Sequence, residues 1–240
     1  MRVLITNDDG IYTPQLHRLA HWAKQLGDVT VVAPKQEQSG KSHGIELHSP
    51  FEVKRLELEP GIPGYAVDST PADCVRYAVF GLKQRFDLVI SGVNRGYNIG
   101  ADIMYSGTVG AVFEAAALGM RGIALSTAPE YIDSVTPHLD AVFDFIAEHK
   151  LLDANNAYNV NIPPQGGQIR ITHQGGPYYS DDFVPIGNDL YKAKGSCVYQ
   201  DSHDDTLDTD AVMHGFISIS PLTIIRTNMD VYRQLNHLNL

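Results

Sequence analysis

An alternation of two hydrophobic periods between Arg2 and Ile146 constrains the fold more than any other feature of this chain. Four short runs, Arg2 to Thr6 (RVLIT), Val29 to Ala33 (VTVVA), Asp87 to Ser91 (DLVIS) and Gly122 to Ser126 (GIALS), are rich in β-branched residues and lack strict polar–apolar alternation. Runs of that kind suit strands covered on both faces, as in a parallel sheet. Between them, Leu16, Leu19, Ala20 and Ala23, then Val75, Ala78, Val79 and Leu82, then Val109, Val112, Phe113 and Ala116 keep the spacing of a helix with one apolar stripe. Leu139, Val142, Phe143 and Ile146 repeat it after the fourth run. The expected fold is α/β: a three-layer α/β/α, Rossmann-like domain with a mostly parallel, mixed sheet.

Thr13-Pro14, Thr70-Pro71 and Thr136-Pro137 each stand just ahead of a stripe. Threonine caps free amides and proline fits the first helical position, so three helix starts are marked, with Asp73 completing a capping box after Thr70. The segment Ile45 to Val67 breaks the order. Its strand-like alternation around Ser49-Pro50 and the following Gly61-Ile62-Pro63-Gly64 predict a β-hairpin inserted into the sheet or projecting from its edge. Beyond Lys150 the pattern is less regular: YNVNI and FISIS read as strands, DVYRQLNHL as a short helix, and Pro163 to Gly167 and Gly175 to Asp182 as turns. The 240 residues therefore suggest one domain, with a regular core over about 1–165 and a C-terminal extension over about 166–240 suited to oligomerisation.

Composition narrows the partners. Eighteen basic against 28 acidic residues leave a net charge of -10, whose field repels duplex nucleic acid. A small phosphorylated ligand then needs a local device such as a helix N-terminus, backbone amides or a metal ion. No run approaches the ~18 apolar residues that span a bilayer, and MRVLITNDDG carries no signal-peptide pattern. The two cysteines, Cys74 and Cys197, suggest neither a disulfide framework nor a thiolate zinc site. The expectation is a cytoplasmic protein without membrane contact.

In open α/β sheets ligands bind beyond the carboxyl ends of the strands. Three polar loops follow strand runs there: Asn7-Asp8-Asp9-Gly10, Gln38-Ser39-Gly40-Lys41-Ser42-His43 and Gly92-Val93-Asn94-Arg95-Gly96. Asp8 and Asp9 would point to opposite faces of a continuing strand, but Gly10 permits a turn that brings both to one ion. With an asparagine carbonyl and a serine hydroxyl they make an all-oxygen set suited to Mg²⁺, Mn²⁺ or Ca²⁺. The plain alternative is an Asp-Gly turn. Ser91 to Gly110 reads as a twenty-residue loop running into a helix, and Ser106-Gly107-Thr108 at its start could cradle a phosphate, or simply cap the helix.

Other signals are weaker. GxGxxG and GxxxxGK[ST] are both absent, and the Gly-Lys-Ser triplet at 40 to 42 lacks the upstream glycine. His17 and His21 share a helix face without the glutamate of HExxH and read as solvent-facing. Ser42 and His43 are candidates for contact with the substrate or leaving group, His43 as a proton donor. The acidic run His203 to Asp210 reads as a solvated loop.

At these residues the sequence resembles the survival protein E (SurE) nucleotidases. TNDDGI (6–11), VVAP followed by QSGKS (31–42), STPADCV (69–75) and SGVNRGYNIGADIMYSGTVGAVFEA (91–115) match its motifs in order, and NVNIP (159–163) and TDAVMHGFISISPL (209–222) its C-terminal pattern. The resemblance implies a divalent-metal-dependent phosphomonoesterase acting on nucleoside 5′- and also 3′-monophosphates and short polyphosphate, with one Mg²⁺ or Mn²⁺ and water as the attacking group. It implies metal ligands at Asp8, Asp9, Ser39 and Asn94, with Asp8 and Asp9 catalytic. Phosphate contacts fall at Asn94, Ser106, Gly107 and Thr108, and the assembly is a homodimer or dimer of dimers. Gln15 and Ser69, where the family has glycine, and Lys35-Gln36-Glu37-Gln38 depart from its pattern. An aspartyl-phosphate mechanism is disfavoured because Asp8-Asp9-Gly10-Ile11 does not fit DxDx[TV]; the remaining alternative is a nucleotide-binding regulatory protein without turnover.

Overall fold

The β-branched runs form the middle of a nine-stranded sheet. In chain order the elements are β1 (Arg2–Thr6), α1 (Pro14–Ala23), β2 (Asp28–Pro34), β3 (Val53–Glu59), β4 (Ile62–Val67), α2 (Pro71–Arg76), β5 (Leu88–Arg95), α3 (Gly107–Ala117) and β6 (Arg121–Thr127). There follow α4 (Pro137–Glu148), α5 (Leu151–Ala154), β7 (Ala157–Ile162), β8 (Ile169–Ile171), β9 (Tyr179–Gly187), β10 (Leu190–Cys197), α6 (Asp208–Met213), β11 (Ile217–Pro221) and α7 (Met229–Leu235). This computed structural model describes residues 1–238. In the strand order β3-β4-β2-β1-β5-β6-β7-β11-β8, the strands β4, β2, β1, β5, β6 and β7 are parallel, whereas β3 and β11 run antiparallel to β4 and β7.

Side-chain alternation along the strands divides the core into two layers. Val3, Ile5, Val31, Ile90 and Leu125 pack under Leu16, Leu19 and Ala20 of α1 and Leu139, Val142 and Ile146 of α4. Leu4, Val32 and Val89 face the other way, onto Cys74 and Val75 of α2 and Ala111 and Ala115 of α3. The result is the three-layer α/β/α arrangement expected from the two periods. Among the described residues no helix is long and apolar enough to cross a membrane.

All three Thr-Pro pairs start helices, with proline at the first position, but only Thr70 makes a cap bond. Its hydroxyl accepts from the Asp73 amide at 3.1 Å and donates to the Gly44 carbonyl at 2.7 Å. The Thr13 hydroxyl instead donates to the Gly10 carbonyl, and Thr136 is already helical. Thr70→Ala is therefore expected to cost about 1–2 kcal/mol of stability and Thr136→Ala less than about 0.5 kcal/mol. Denaturant unfolding of the two variants checks the contrast.

Three expectations need correction. The hairpin exists and extends the sheet beside β2, but its first strand begins at Val53, not near Ile45. Glu46 takes the amides of His48 and Ser49 at 2.7 and 2.8 Å, a local turn that competes with strand pairing ahead of Pro50. Secondly, β5 continues to Arg95 and a 3-10 turn spans Gly100–Tyr105, so the twenty-residue loop is shorter than it reads. Thirdly, Gly175 to Asp182 is not all turn: β9 and β10 form a separate exposed hairpin joined at Asn188-Asp189, both with positive φ. That pair is a turn signal visible in the sequence.

Candidate active site

The strand order places β1 between β2 and β5, with Thr6 beside Ser91, so the chain turns off in opposite directions on either side of β1. A crevice opens at such a switch point. Immediately after β1 the buried Asn7 side chain closes a tight turn. Its Oδ1 accepts from the Gly10 amide at 3.2 Å and its Nδ2 donates to the Gly10 carbonyl at 3.1 Å. Gly10 has φ +105, a conformation that L side chains rarely adopt. The turn resolves the opposite-face problem: Asp8 and Asp9 both line one cavity of about 740 Å³, together with Ser39, Asn94 and Ser106.

Each of these groups is held by its own neighbours. Ser106 is the N-cap of α3, its hydroxyl oxygen accepting from the Val109 amide at 3.1 Å. The Thr108 hydroxyl donates to Asp8 Oδ1 at 2.6 Å and is fully buried, so it positions Asp8 and does not face the cavity. Gly107 lies behind the same carboxylate. A Cβ there would stand 3.1 Å from Asp8 Cβ and 3.3 Å from Asp8 Oδ2, so glycine lets the first turn of α3 approach the acid closely. The Asn94 Nδ2 donates to the Gly96 carbonyl at 2.8 Å, leaving Oδ1 as a ligand atom. The Ser39 hydroxyl donates to Glu37 Oε1 at 2.6 Å.

Burial dominates the electrostatics. It pushes Asp8 up to about 6 from 3.8, with the Thr108 hydroxyl opposing and the Asp9 charge adding to the rise. Asp9 is likewise raised by burial, against the hydrogen bond from the Gln15 amide, which reaches Asp9 Oδ2 at 3.2 Å. Four acidic side chains and one basic side chain, Arg95, line the cavity. A phosphate dianion entering such a space requires added positive charge. Buried Asp8 and half-buried Asp9, both held above their usual range, join an amide oxygen and a hydroxyl in an all-oxygen donor set, and imidazole and thiolate are absent from the lining. That set fits a hard divalent cation.

Ser42 and His43 lie elsewhere. They line a neighbouring cavity of about 450 Å³ that meets the first at Ser106 and includes Ile103, Phe113 and Arg226. The Ser42 hydroxyl donates to the Met104 carbonyl at 2.6 Å, and His43 Nε2 stands 2.8 Å from Glu114 Oε2. Burial would raise Glu114, yet hydrogen bonds from His43 and Arg76 hold it below its ordinary 4.5. Its ionised form thus adds stability above that value, lost as pH falls through the lowered one. Thermal melts between about pH 5 and 3 should show Glu114→Gln losing less stability than wild type.

Sequence reading missed the supports of the loop between β5 and α3. Asn159 and Asn161, on one face of β7, donate to the Asn98 carbonyl at 2.7 and 2.9 Å, and Asn161 Oδ1 accepts the Asn98 amide at 2.8 Å. Two asparagines at i, i+2 in an otherwise apolar strand were the available signal. Part of the acidic run is also corrected: Asp208 and Asp210 are each 1% exposed. Asp208 accepts from the amides of Gly100 (3.1 Å) and Gly175 (2.8 Å). His17 and His21 do not line the cavity; they contact the Ile11 carbonyl and Glu59.

Fold and site together define an α/β protein with a crevice at its switch point that is lined by carboxylate, amide and hydroxyl oxygens and closed on one side by a helix N-terminus. The chain belongs to the SurE family, whose description, Survival protein SurE, matches residues 3–181. It is 35% identical to the 5′-nucleotidase SurE of Petrotoga mobilis over 98% of each chain. Against the 5′-nucleotidase SurE of Thermoanaerobacter sp. it is 37% identical over 100% of this chain and 97% of the relative. A crystal structure of the SurE protein from Aquifex aeolicus superposes with a TM-score of 0.81 at 30% identity, covering 100% of both chains.

Proposed function

We propose that this protein is a phosphomonoesterase that hydrolyses nucleoside 5′-monophosphates to nucleoside and phosphate. The observation that carries the reading is the meeting of two adjacent carboxylates, buried Asp8 and half-buried Asp9, with the N-terminus of α3 in one crevice. Asp8, Asp9, Asn94 and Ser39 would hold a divalent cation, Mg²⁺ or Mn²⁺. When bound, such a cation lowers the pKa of water and neutralises phosphate charge.

The remaining roles belong to the chain itself. The Ser106 hydroxyl and the positive end of α3 orient the phosphoryl oxygens, with Asn94 lining the same crevice. Thr108 and Gly107 act through Asp8, the first by fixing its carboxylate and the second by admitting the helix. Because Ser106 borders both cavities, a phosphate at α3 directs its ester substituent into the neighbouring one, where Phe113, Ile103 and His43 form walls for a nucleoside. His43, already paired with Glu114, serves there as a contact before it serves as a proton donor. Exposed apolar side chains on β9 and β10 (Phe183, Ile186, Tyr191) and on α7 (Val231, Tyr232, Leu235) support self-association through the C-terminal extension.

The test is phosphate release from a panel of 5′- and 3′-nucleoside monophosphates and short polyphosphate, with Mg²⁺, Mn²⁺ or EDTA. Metal-dependent release, greatest with 5′-monophosphates, is expected. Nucleotide binding without release under any condition would leave the non-catalytic binding protein as the better reading.

A further inference from the structure

A second group of metal-type ligands lies outside the crevice, on the loop before α6. Asp201 Oδ2 is 3.0 Å from His203 Nδ1 and 3.1 Å from His214 Nε2, and the three ligand atoms all lie within 4.8 Å of one another. None of the three residues lines the crevice. Four-coordinate Zn²⁺ with bonds of about 2.0–2.1 Å separates its ligand atoms by about 3.3 Å. Two of the three separations already stand close to that value. The third lies within 4.8 Å, and the His203 side chain, 84% exposed, has room to turn.

The surroundings favour a ligand set over a chance pairing of charges. His214 Nδ1 is 2.6 Å from Asp205 Oδ1, a carboxylate behind the imidazole that fixes its tautomer and turns Nε2 towards Asp201. That is the carboxylate–histidine–metal relay of zinc proteins. The loop is also anchored from inside. Buried Asp210 accepts from the amides of Ser202 and Asp204 at 3.1 and 3.0 Å and from the Ser202 hydroxyl at 2.6 Å, while Asp201 Oδ1 accepts the His203 amide at 2.8 Å. His214 ends α6, so its backbone is fixed as well.

We propose that Asp201, His203 and His214 form a second cation site, for Zn²⁺ or a similar borderline transition metal, with Asp205 orienting His214. Two imidazoles and one carboxylate prefer such ions, whereas the all-oxygen crevice prefers Mg²⁺ or Mn²⁺, so one chain separates two metals by donor type. Three protein ligands leave a fourth position for water, and an ion there ties the loop at 201–205 to the end of α6.

Equilibrium dialysis of the full chain against Zn²⁺, in saturating Mg²⁺, tests the proposal. One Zn²⁺ per chain is expected in wild type and in Asp9→Asn. His214→Ala and His203→Ala should each weaken uptake at least tenfold, and Asp205→Asn about 10–100-fold. Substituted Co²⁺ should show tetrahedral visible bands that His203→Ala removes. Equal uptake by wild type and both histidine variants would overturn the proposal, as would uptake lost in Asp9→Asn alone, which would put the ion in the crevice. His203 is exposed enough that its variant folds, so loss of binding there reports on ligation.

Discussion

Asp9→Asn is expected to lower kcat/KM for nucleoside monophosphate hydrolysis by on the order of 10³-fold, with the fold unchanged. The substitution keeps the size of the side chain and an oxygen within reach of Gln15, but removes the charge that a cation in this crevice requires. Asp8→Asn should lose activity to the same degree and supplies the control for misfolding. Burial lifts the Asp8 carboxyl from 3.8 to about 6. The stability this group confers is thus complete below its unfolded value and lost as pH rises through about 6. At neutral pH and without metal, its ionised form costs the fold up to about 3 kcal/mol. In EDTA the Asp8→Asn protein therefore melts at or above wild type while releasing almost no phosphate. An inactive variant that melts well below wild type would point to a structural carboxylate, and one keeping more than a tenth of wild-type activity would remove Asp8 from the reaction.

Asp208→Ala is expected to cost about 2–5 kcal/mol of stability, because the buried Gly100 amide and the half-buried Gly175 amide lose their acceptor together. For a chain of this size that is a fall in Tm of roughly 5–15 °C. Asp208→Asn, which keeps one oxygen and sheds the charge that burial penalises, should fall less. Activity should decline with stability, since Gly100 opens the 3-10 turn that delivers Ser106 to the head of α3. Gly100 has no room to adapt: a Cβ there would stand 2.0 Å from the Gly176 carbonyl oxygen. Scanning calorimetry of the two variants, paired with phosphate release at a temperature where both are folded, checks the ranking. Equal melting of Asp208→Ala and wild type would show that the loop is held by other contacts.

The two predictions rest on information of different kinds. Asp8 and Asp9 stood out because a carboxylate pair followed by glycine at the end of a β-branched run is a local pattern, and the position of such an end in a parallel sheet is set by the fold class. Ser106 stood out because a small polar residue ahead of a helical stripe is a cap. Asp208 did not, since an acidic run looks the same in sequence whether it is solvated or turned inward. Only when β11 pairs with β7 and α6 packs against β11 does its carboxylate meet the Gly100 amide, 108 residues away.

The sequence by itself determined the three-layer α/β/α order, the three Thr-Pro helix starts and the oxygen-bearing loops that meet at the strand ends. These signals are written within a few positions of one another, in strand and helix periods and in turn chemistry. Tertiary structure alone decided that the Thr108 hydroxyl binds Asp8 and faces away from the cavity, that Ser42 and His43 belong to the neighbouring cavity, and that Asn159 and Asn161 fasten Asn98. Each of these pairings joins groups far apart in sequence whose direction is fixed by strand register and by the close approach of α3 to Asp8 at Gly107. A hydrogen bond in a buried space goes to whichever partner the packing leaves nearest, and that choice is made by geometry, not by residue type.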